Sequence, residues 1–190
     1  MTKSGTKRHI RWQYAIGGSI VGVCLLGAGI AAASSSNLDE LSGGDGSYTY
    51  SCDTTISGAH GTVIISRGTT CIIDAQISGS VVVNKPGAVI VRDSSVTGSI
   101  TESLSSGTQI CGTTVGGSVS VAGATGFVLI GDPGNGCYAN TVTGSIVVTN
   151  NHNGLVVVGN TVGGSVVSSG NSGSGPLAGQ YSPIVSGNHH

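Results

Sequence analysis

Ile77-Ser-Gly-Ser-Val81, Val96-Thr-Gly-Ser-Ile100, Val115-Gly-Gly-Ser-Val119, Val142-Thr-Gly-Ser-Ile146 and Val162-Gly-Gly-Ser-Val166 repeat one pattern. Each copy is a β-branched residue, one small residue, glycine, serine, and then Val or Ile. Weaker copies begin at Ile56 and Ile184, so the steps between starts are 21, 19, 19, 27, 20 and 22 residues. A fixed period near twenty is the mark of a solenoid, in which each repeat buries its apolar side against the next. Between the motifs lie second apolar runs: Val63-Ile-Ile65, Val89-Ile-Val91, Val128-Leu-Ile130 and Val156-Val-Val158. Glycine-containing polar turns separate them. These runs are too short for helices and rich in β-branched residues.

The pattern predicts an all-β chain: a single-stranded parallel β-helix with about 19–21 residues per coil. Each coil would hold two or three short strands, each paired with its counterpart in the next coil. The glycine of the motif suits a corner where φ is positive or two backbones approach closely. Right-handed winding is expected, because the strict six-residue spacing of the left-handed hexapeptide type is missing. The rival fold is an antiparallel sandwich, which regular turn spacing also suits. The step of 27 carries an insertion, Asp132–Ala139, that would loop out at a turn without disturbing the stack.

Composition agrees. Charged residues make up 8% and aromatic residues 4%, yet mean hydropathy is +0.28, which argues against a wholly disordered chain. With one Trp and one Phe, the core must be built from small β-branched side chains. The net charge of −1 is split unevenly. Lys3, Lys7, Arg8 and Arg11 open the chain, while three bases and all eight acids follow. No basic face remains to hold nucleic acid.

Those four bases precede Ala15–Ala33, nineteen residues without a charge. The order of basic region, apolar region and small residues predicts an export signal over 1–33, with cleavage between Ala33 and Ser34. Uncleaved, the same segment would be a transmembrane helical anchor. Residues 34–50 read as a flexible linker, and 51–188 as the solenoid domain.

Four cysteines follow the signal, which in an exported domain predicts two disulfides. Successive coils lie ~4.8 Å apart, and bonded Cα atoms lie within ~7 Å. Cys52 and Cys111 are three coils apart and Cys71 and Cys111 two, so neither pair can close. The expected bridges are Cys52–Cys71 and Cys111–Cys137; the alternative is four buried free thiols.

Asp53, Asp74 and Asp93 each precede a motif start by three residues. Stacked, they would form a carboxylate ladder, a weak candidate calcium or acid/base site. Aspartate also favours turns, and the later equivalents are Gly112 and Gly159. His60 and His152 lie in turns, and His189 and His190 end the chain. Thr55, Ser95, Thr114, Thr141 and Thr161 precede motif starts, with Gln76 interrupting. Such a row on a flat face can bind ice, or a flat polymer such as a glycan.

From about 50 to 188 the repeats resemble uncharacterised exported repeat proteins of actinobacteria, on Val142-Thr-Gly-Ser-Ile-Val-Val and Gly154-Leu-Val-Val-Val-Gly-Asn-Thr-Val-Gly-Gly-Ser-Val166. Those proteins close on a cysteine-asparagine coil. Here Ser169-Gly-Asn171 and Val185-Ser-Gly-Asn188 keep the asparagine and lack the cysteine. The coils are also similar in length to bactofilin-type β-helices. The resemblance implies fold and location, with no catalytic residues.

The function expected is therefore a secreted or cell-surface β-solenoid without catalysis. It would meet a cell-envelope glycan, a surface protein or a second copy of itself, with the membrane touched only by the N-terminal segment. The alternative is a carbohydrate-active enzyme, a polysaccharide lyase or hydrolase, using the aspartate ladder. A self-assembling surface scaffold is the third reading, because the ends of a solenoid are unpaired edges.

Overall fold

The computed structural model describes residues 51–190. The expected signal or anchor over 1–33, its cleavage point between Ala33 and Ser34, and the linker over 34–50 all lie outside the described residues. Residues 51–190 form a parallel β-solenoid of about six coils.

Coil one holds β1 (Thr54–His60) and β2 (Val63–Ile65), and coil two holds β3 (Thr69–Ile77) and β4 (Val81–Asn84). Three strands form each later coil: β5 (Ala88–Arg92), β6 (Ser95–Val96) and β7 (Ile100–Ser103), then β8 (Gly107–Cys111), β9 (Thr114–Val115) and β10 (Val119–Ala122). Coil five is β11 (Val128–Ile130), β12 (Thr141–Val142) and β13 (Ile146–Thr149); coil six is β14 (Leu155–Val158), β15 (Thr161–Val162) and β16 (Val166–Ser169). A last strand, β17 (Ile184–Ser186), pairs with β14.

Three faces result. The first is β3-β5-β8-β11-β14-β17, the second is β3-β6-β9-β12-β15, and the third is β2-β4-β7-β10-β13-β16. The long β3 runs around the corner between the first two, and β1 pairs with it across a bulge between Ile56 and Gly58. Every described pair of strands is parallel, as the repeat predicts. Side chains alternate in and out. Inward-facing Val, Ile and Leu from the three faces meet in one core, including Ile72, Val91, Ile110 and Val157 from the first face and Val81, Ile100, Val119 and Ile146 from the third.

The motif is the corner between the second and third faces, and its serine has a defined job. The Oγ of Ser80, Ser99, Ser118 and Ser145 each accepts the backbone N–H of the serine one coil on, at 3.0–3.1 Å. The glycine before it is required by close approach, not by positive φ. A Cβ at Gly117 would stand 2.3 Å from Ser99 Oγ and 2.9 Å from the Gly98 carbonyl oxygen. Gly117→Val is therefore expected to lose about 3 kcal/mol through overpacking and displacement of the serine ladder. Urea unfolding of Gly117→Val beside Gly61→Val measures it; Gly61 has open space around its Cβ position and no positive φ. Equal losses at the two sites would contradict this account of the motif.

The weak copies at Ile56 and Ile184 are not this corner. Ile56 pairs with Ile72 and Ile184 with Val156, so both lie on the first face. An apolar residue followed by a small residue and glycine also describes the exit from a first-face strand, so the pattern alone does not separate the two corners. Similarly, Val63–Ile65 pairs with Val81–Val83 on the third face, whereas the other intervening apolar runs lie on the first.

Both expected disulfides are present, with Cα separations of 5.7 Å for Cys52–Cys71 and 4.9 Å for Cys111–Cys137. The insertion leaves the stack after Gly131 and includes a short 3-10 turn, Pro133–Asn135. Its neck is closed by Asp132 N–H to the Cys137 carbonyl at 2.6 Å and by the reciprocal bond at 3.1 Å.

Candidate functional site

The second face carries an exposed row in strict register. Gln76, Ser95, Thr114, Thr141 and Thr161 pair in succession, and all are exposed. His189 extends the row by pairing with Thr161. At the other end the register places Ala59, not Thr55, opposite Gln76. Thr55 pairs instead with Cys71, because the copy at Ile56 belongs to the first face. A second column stands two residues further along the strands: Ser78, Thr97, Gly116, Thr143 and Gly163. Rungs are spaced ~4.8 Å apart along the row and columns ~6.6 Å apart across it. The inward neighbours Val96, Val115, Val142 and Val162 are 0–1% exposed, so a packed core holds this surface rigid. At the first coils the row borders a shallow depression of about 380 Å³ between His60, Gln76, Ser78 and Thr97.

The three aspartates do not form one row. Asp74 and Asp93 occupy the left-handed corner between the first and second faces, with φ of 50° and 48°. Gly112, Gly131, Gly159 and Gly187 take the same turn with φ between 60° and 73°. Aspartate is among the few side chains that tolerate this conformation, so the corner itself explains the aspartate-to-glycine succession. Asp53 stands apart at the chain entry, where its Oδ2 accepts the Thr69 N–H at 2.7 Å. Among the described residues, no three His, Cys, Asp or Glu side chains converge to hold a metal ion. His60 and His152 make local contacts, with the Ser57 carbonyl at 3.0 Å and Ser172 Oγ at 2.9 Å.

Glu102 is a residue that the repeat did not single out. It pairs with Val83 on one side and Val121 on the other, so it points inward among valines and is 2% exposed. Its Oε2 accepts the Thr108 hydroxyl, itself beside Ser105 Oγ at 3.4 Å. Its Oε1 has no partner. Burial pushes the carboxyl up to about 8, with the Thr108 and Ser105 hydroxyls pulling partly back. At neutral pH it is a protonated acid within the stack. A signal was present in the sequence: Ile100-Thr-Glu102 stands where the other copies read Val81-Val-Val83, Val119-Ser-Val121 and Ile146-Val-Val148.

The asparagines kept at the closing coils have a structural role. Asn140, Asn160 and Asn188 stack in the first corner, side-chain amide to side-chain amide at 2.9 Å. Asn151 and Asn171 do the same in the corner between the third and first faces, also at 2.9 Å. No family model, curated protein or solved structure matches the chain.

Proposed function

We propose that this chain is an exported, non-catalytic β-solenoid that binds a cell-envelope glycan along its second face. The observation that carries the reading is the exposed, in-register row Gln76, Ser95, Thr114, Thr141 and Thr161. A rigid plane of hydroxyl and amide groups can meet a long polar polymer with many weak hydrogen bonds and little ordering cost. The second column alternates between threonine and glycine over Thr97, Gly116, Thr143 and Gly163. Half-filled in this way, it favours a polymer over an ice lattice, which would require every position. Export to the surface or medium is supported by the two disulfides, which persist in oxidising compartments, and by the basic-then-apolar order of residues 1–33. Right-handed winding is part of the reading, as in nearly all parallel crossover connections.

The carbohydrate-active alternative loses its motive, since Asp53 stands apart from Asp74 and Asp93. Self-association through the ends is the second reading. Among the described residues, the terminal strands β2 and β16 of the third face each lack a neighbour on one side, and Ile64 and Val167 are 70% and 45% exposed. Light scattering over a concentration series reads it.

Retention on insoluble cell-wall glycan tests the first reading. Thr114→Lys combined with Thr141→Lys is expected to weaken retention about tenfold or more, through steric and desolvation cost at the centre of the row. Thr101→Lys, exposed on the third face, should leave it unchanged. No retention of the parent on any glycan tried, or equal loss with Thr101→Lys, would remove the proposal.

A further inference from the structure

Coils two, three, four and six turn from the first face to the second with a single left-handed residue: Asp74, Asp93, Gly112 and Gly159. Coil five takes the longer path Asp132–Ala139, and that path is tied down. Cys137 is bridged to Cys111, Asn135 Nδ2 donates to Asp132 Oδ2 at 2.7 Å, and the Tyr138 carbonyl accepts the Gly112 N–H at 2.9 Å. What the path delivers to the surface is Tyr138. Among the described residues the aromatic side chains are Phe127, Tyr138 and Tyr181. Phe127 is buried, whereas Tyr138 is 67% exposed. A lone exposed apolar side chain needs no explanation by itself. One whose backbone is fixed by a neighbouring disulfide and a cross-coil hydrogen bond is a preorganised contact surface.

We propose that Tyr138, Asp93 and the gap over Gly112 form a sugar subsite beside the centre of the hydroxyl row, taking one β-linked pyranose unit with an all-equatorial ring. A Cβ at Gly112 would stand 2.5 Å from Asp93 Oδ1 and 3.6 Å from Tyr138 Cβ. The missing side chain therefore leaves a notch with a carboxylate on one side and a tyrosine on the other. Both flanking residues are exposed. An all-equatorial ring presents a flat C–H face, which a tyrosine ring can cover while its hydroxyl stays in water. The carboxylate accepts charge-assisted hydrogen bonds from the hydroxyls of the same sugar. Gly112 and Thr114 are two residues apart, ~6.6 Å along the strand, and Tyr138 precedes Thr141 by three residues. The notch thus borders the two threonines at the middle of the row. The subsite rests on the glycan reading of the second face and deepens it: the row gives many weak contacts, and the notch anchors one unit and selects its class.

The fold itself does not call for a tyrosine here. The carbonyl at 138 and the disulfide at 137 close the corner whatever side chain stands at 138. Tyr181 provides the contrast. It is 88% exposed, and its neighbour Gln180 donates Nε2–H to the Leu155 carbonyl at 2.9 Å. That places it at the start of a first-face strand, across that face from the hydroxyl row.

The test is retention of the full-length chain on insoluble cellulose and chitin, with a polygalacturonate gel as the axially linked, anionic contrast. Tyr138→Ala is expected to weaken retention on cellulose or chitin about tenfold, as loss of an anchoring aromatic does. Tyr138→Phe should keep retention, and Tyr181→Ala should leave it unchanged. Gly112→Asn fills the notch without touching the ring and should weaken retention to a similar extent. Asparagine tolerates the φ of 60° at that corner, and its Cβ would first meet the free end of the Asp93 side chain, so this variant folds even if Tyr138→Ala does not. Equal urea midpoints for Gly112→Asn and the parent check that point. Parent retention on cellulose or chitin that neither Tyr138→Ala nor Gly112→Asn weakens would overturn the subsite, while the row would still stand or fall by Thr114→Lys with Thr141→Lys. Retention on polygalacturonate alone would overturn the sugar class and leave the row intact. No retention on any matrix would remove both.

Discussion

The stability of this protein is expected to fall as pH rises from about 4.5 to about 8, and Glu102→Val is expected to abolish most of that fall. The folded-state value of Glu102 is raised from 4.5 to about 8 by burial. Below the lower value both states carry the proton, so the carboxyl does not oppose folding. Between the two values only the unfolded chain ionises, and folding must take up a proton. Each pH unit in that window then costs about 1.4 kcal/mol, for a total of roughly 5 kcal/mol. Above the higher value both states are ionised and the dependence ends. Valine at this position would continue the Val83 and Val121 ladder and remove the unpartnered Oε1. Denaturant unfolding of parent and Glu102→Val at intervals from pH 4 to pH 9 checks it. Parallel curves for the two proteins would show that Glu102 is not the group responsible.

Asn160→Leu is expected to destabilise the solenoid by about 3–5 kcal/mol, since several buried polar groups would lose their partners together. The Asn160 Oδ1 accepts both the backbone N–H and the side-chain amide of Asn140, at 3.1 and 2.9 Å. Its Nδ2 donates to the Ile130 carbonyl and to Asn188 Oδ1, each at 2.9 Å. Leucine is similar in size, so the loss reads the hydrogen bonds and not a cavity. Asn188→Leu, at the end of the same ladder and only half-buried, should cost clearly less. Thermal or urea unfolding of both variants measures the difference. A smaller loss for Asn160→Leu than for Asn188→Leu would refute the ladder as a central element of the corner.

The strong motif copies were legible because three physical demands coincide within five residues. The β-branched residue fills the core, the glycine permits close approach, and the serine accepts the amide of the next coil. A sequence that meets all three leaves little freedom of register. The weak copies at Ile56 and Ile184 lack the accepting serine, and their glycines, Gly58 and Gly187, serve by positive φ at the first-face corner and not by close approach. The disulfides were legible because a bridge tolerates an error of a few residues along the chain but not of a whole coil. The aspartates were half legible. Their turn preference could be read, but the copy at Ile56 lies on the first face, which puts Asp53 at the entry to that face and not at the corner of the other two.

By itself the sequence determined the solenoid, the coil length, the two disulfides and the insertion between coils. All of these follow from a period that counts residues, and counting needs no coordinates. Tertiary structure alone decided which side of each strand faces inward. That choice turned Glu102 into a buried acid and aligned the hydroxyl row from Gln76 to Thr161. Side-chain direction alternates with every residue, so a shift of one in register exchanges core for surface. The repeat period, varying from 19 to 27 residues across the motifs, is too loose to resolve that single step.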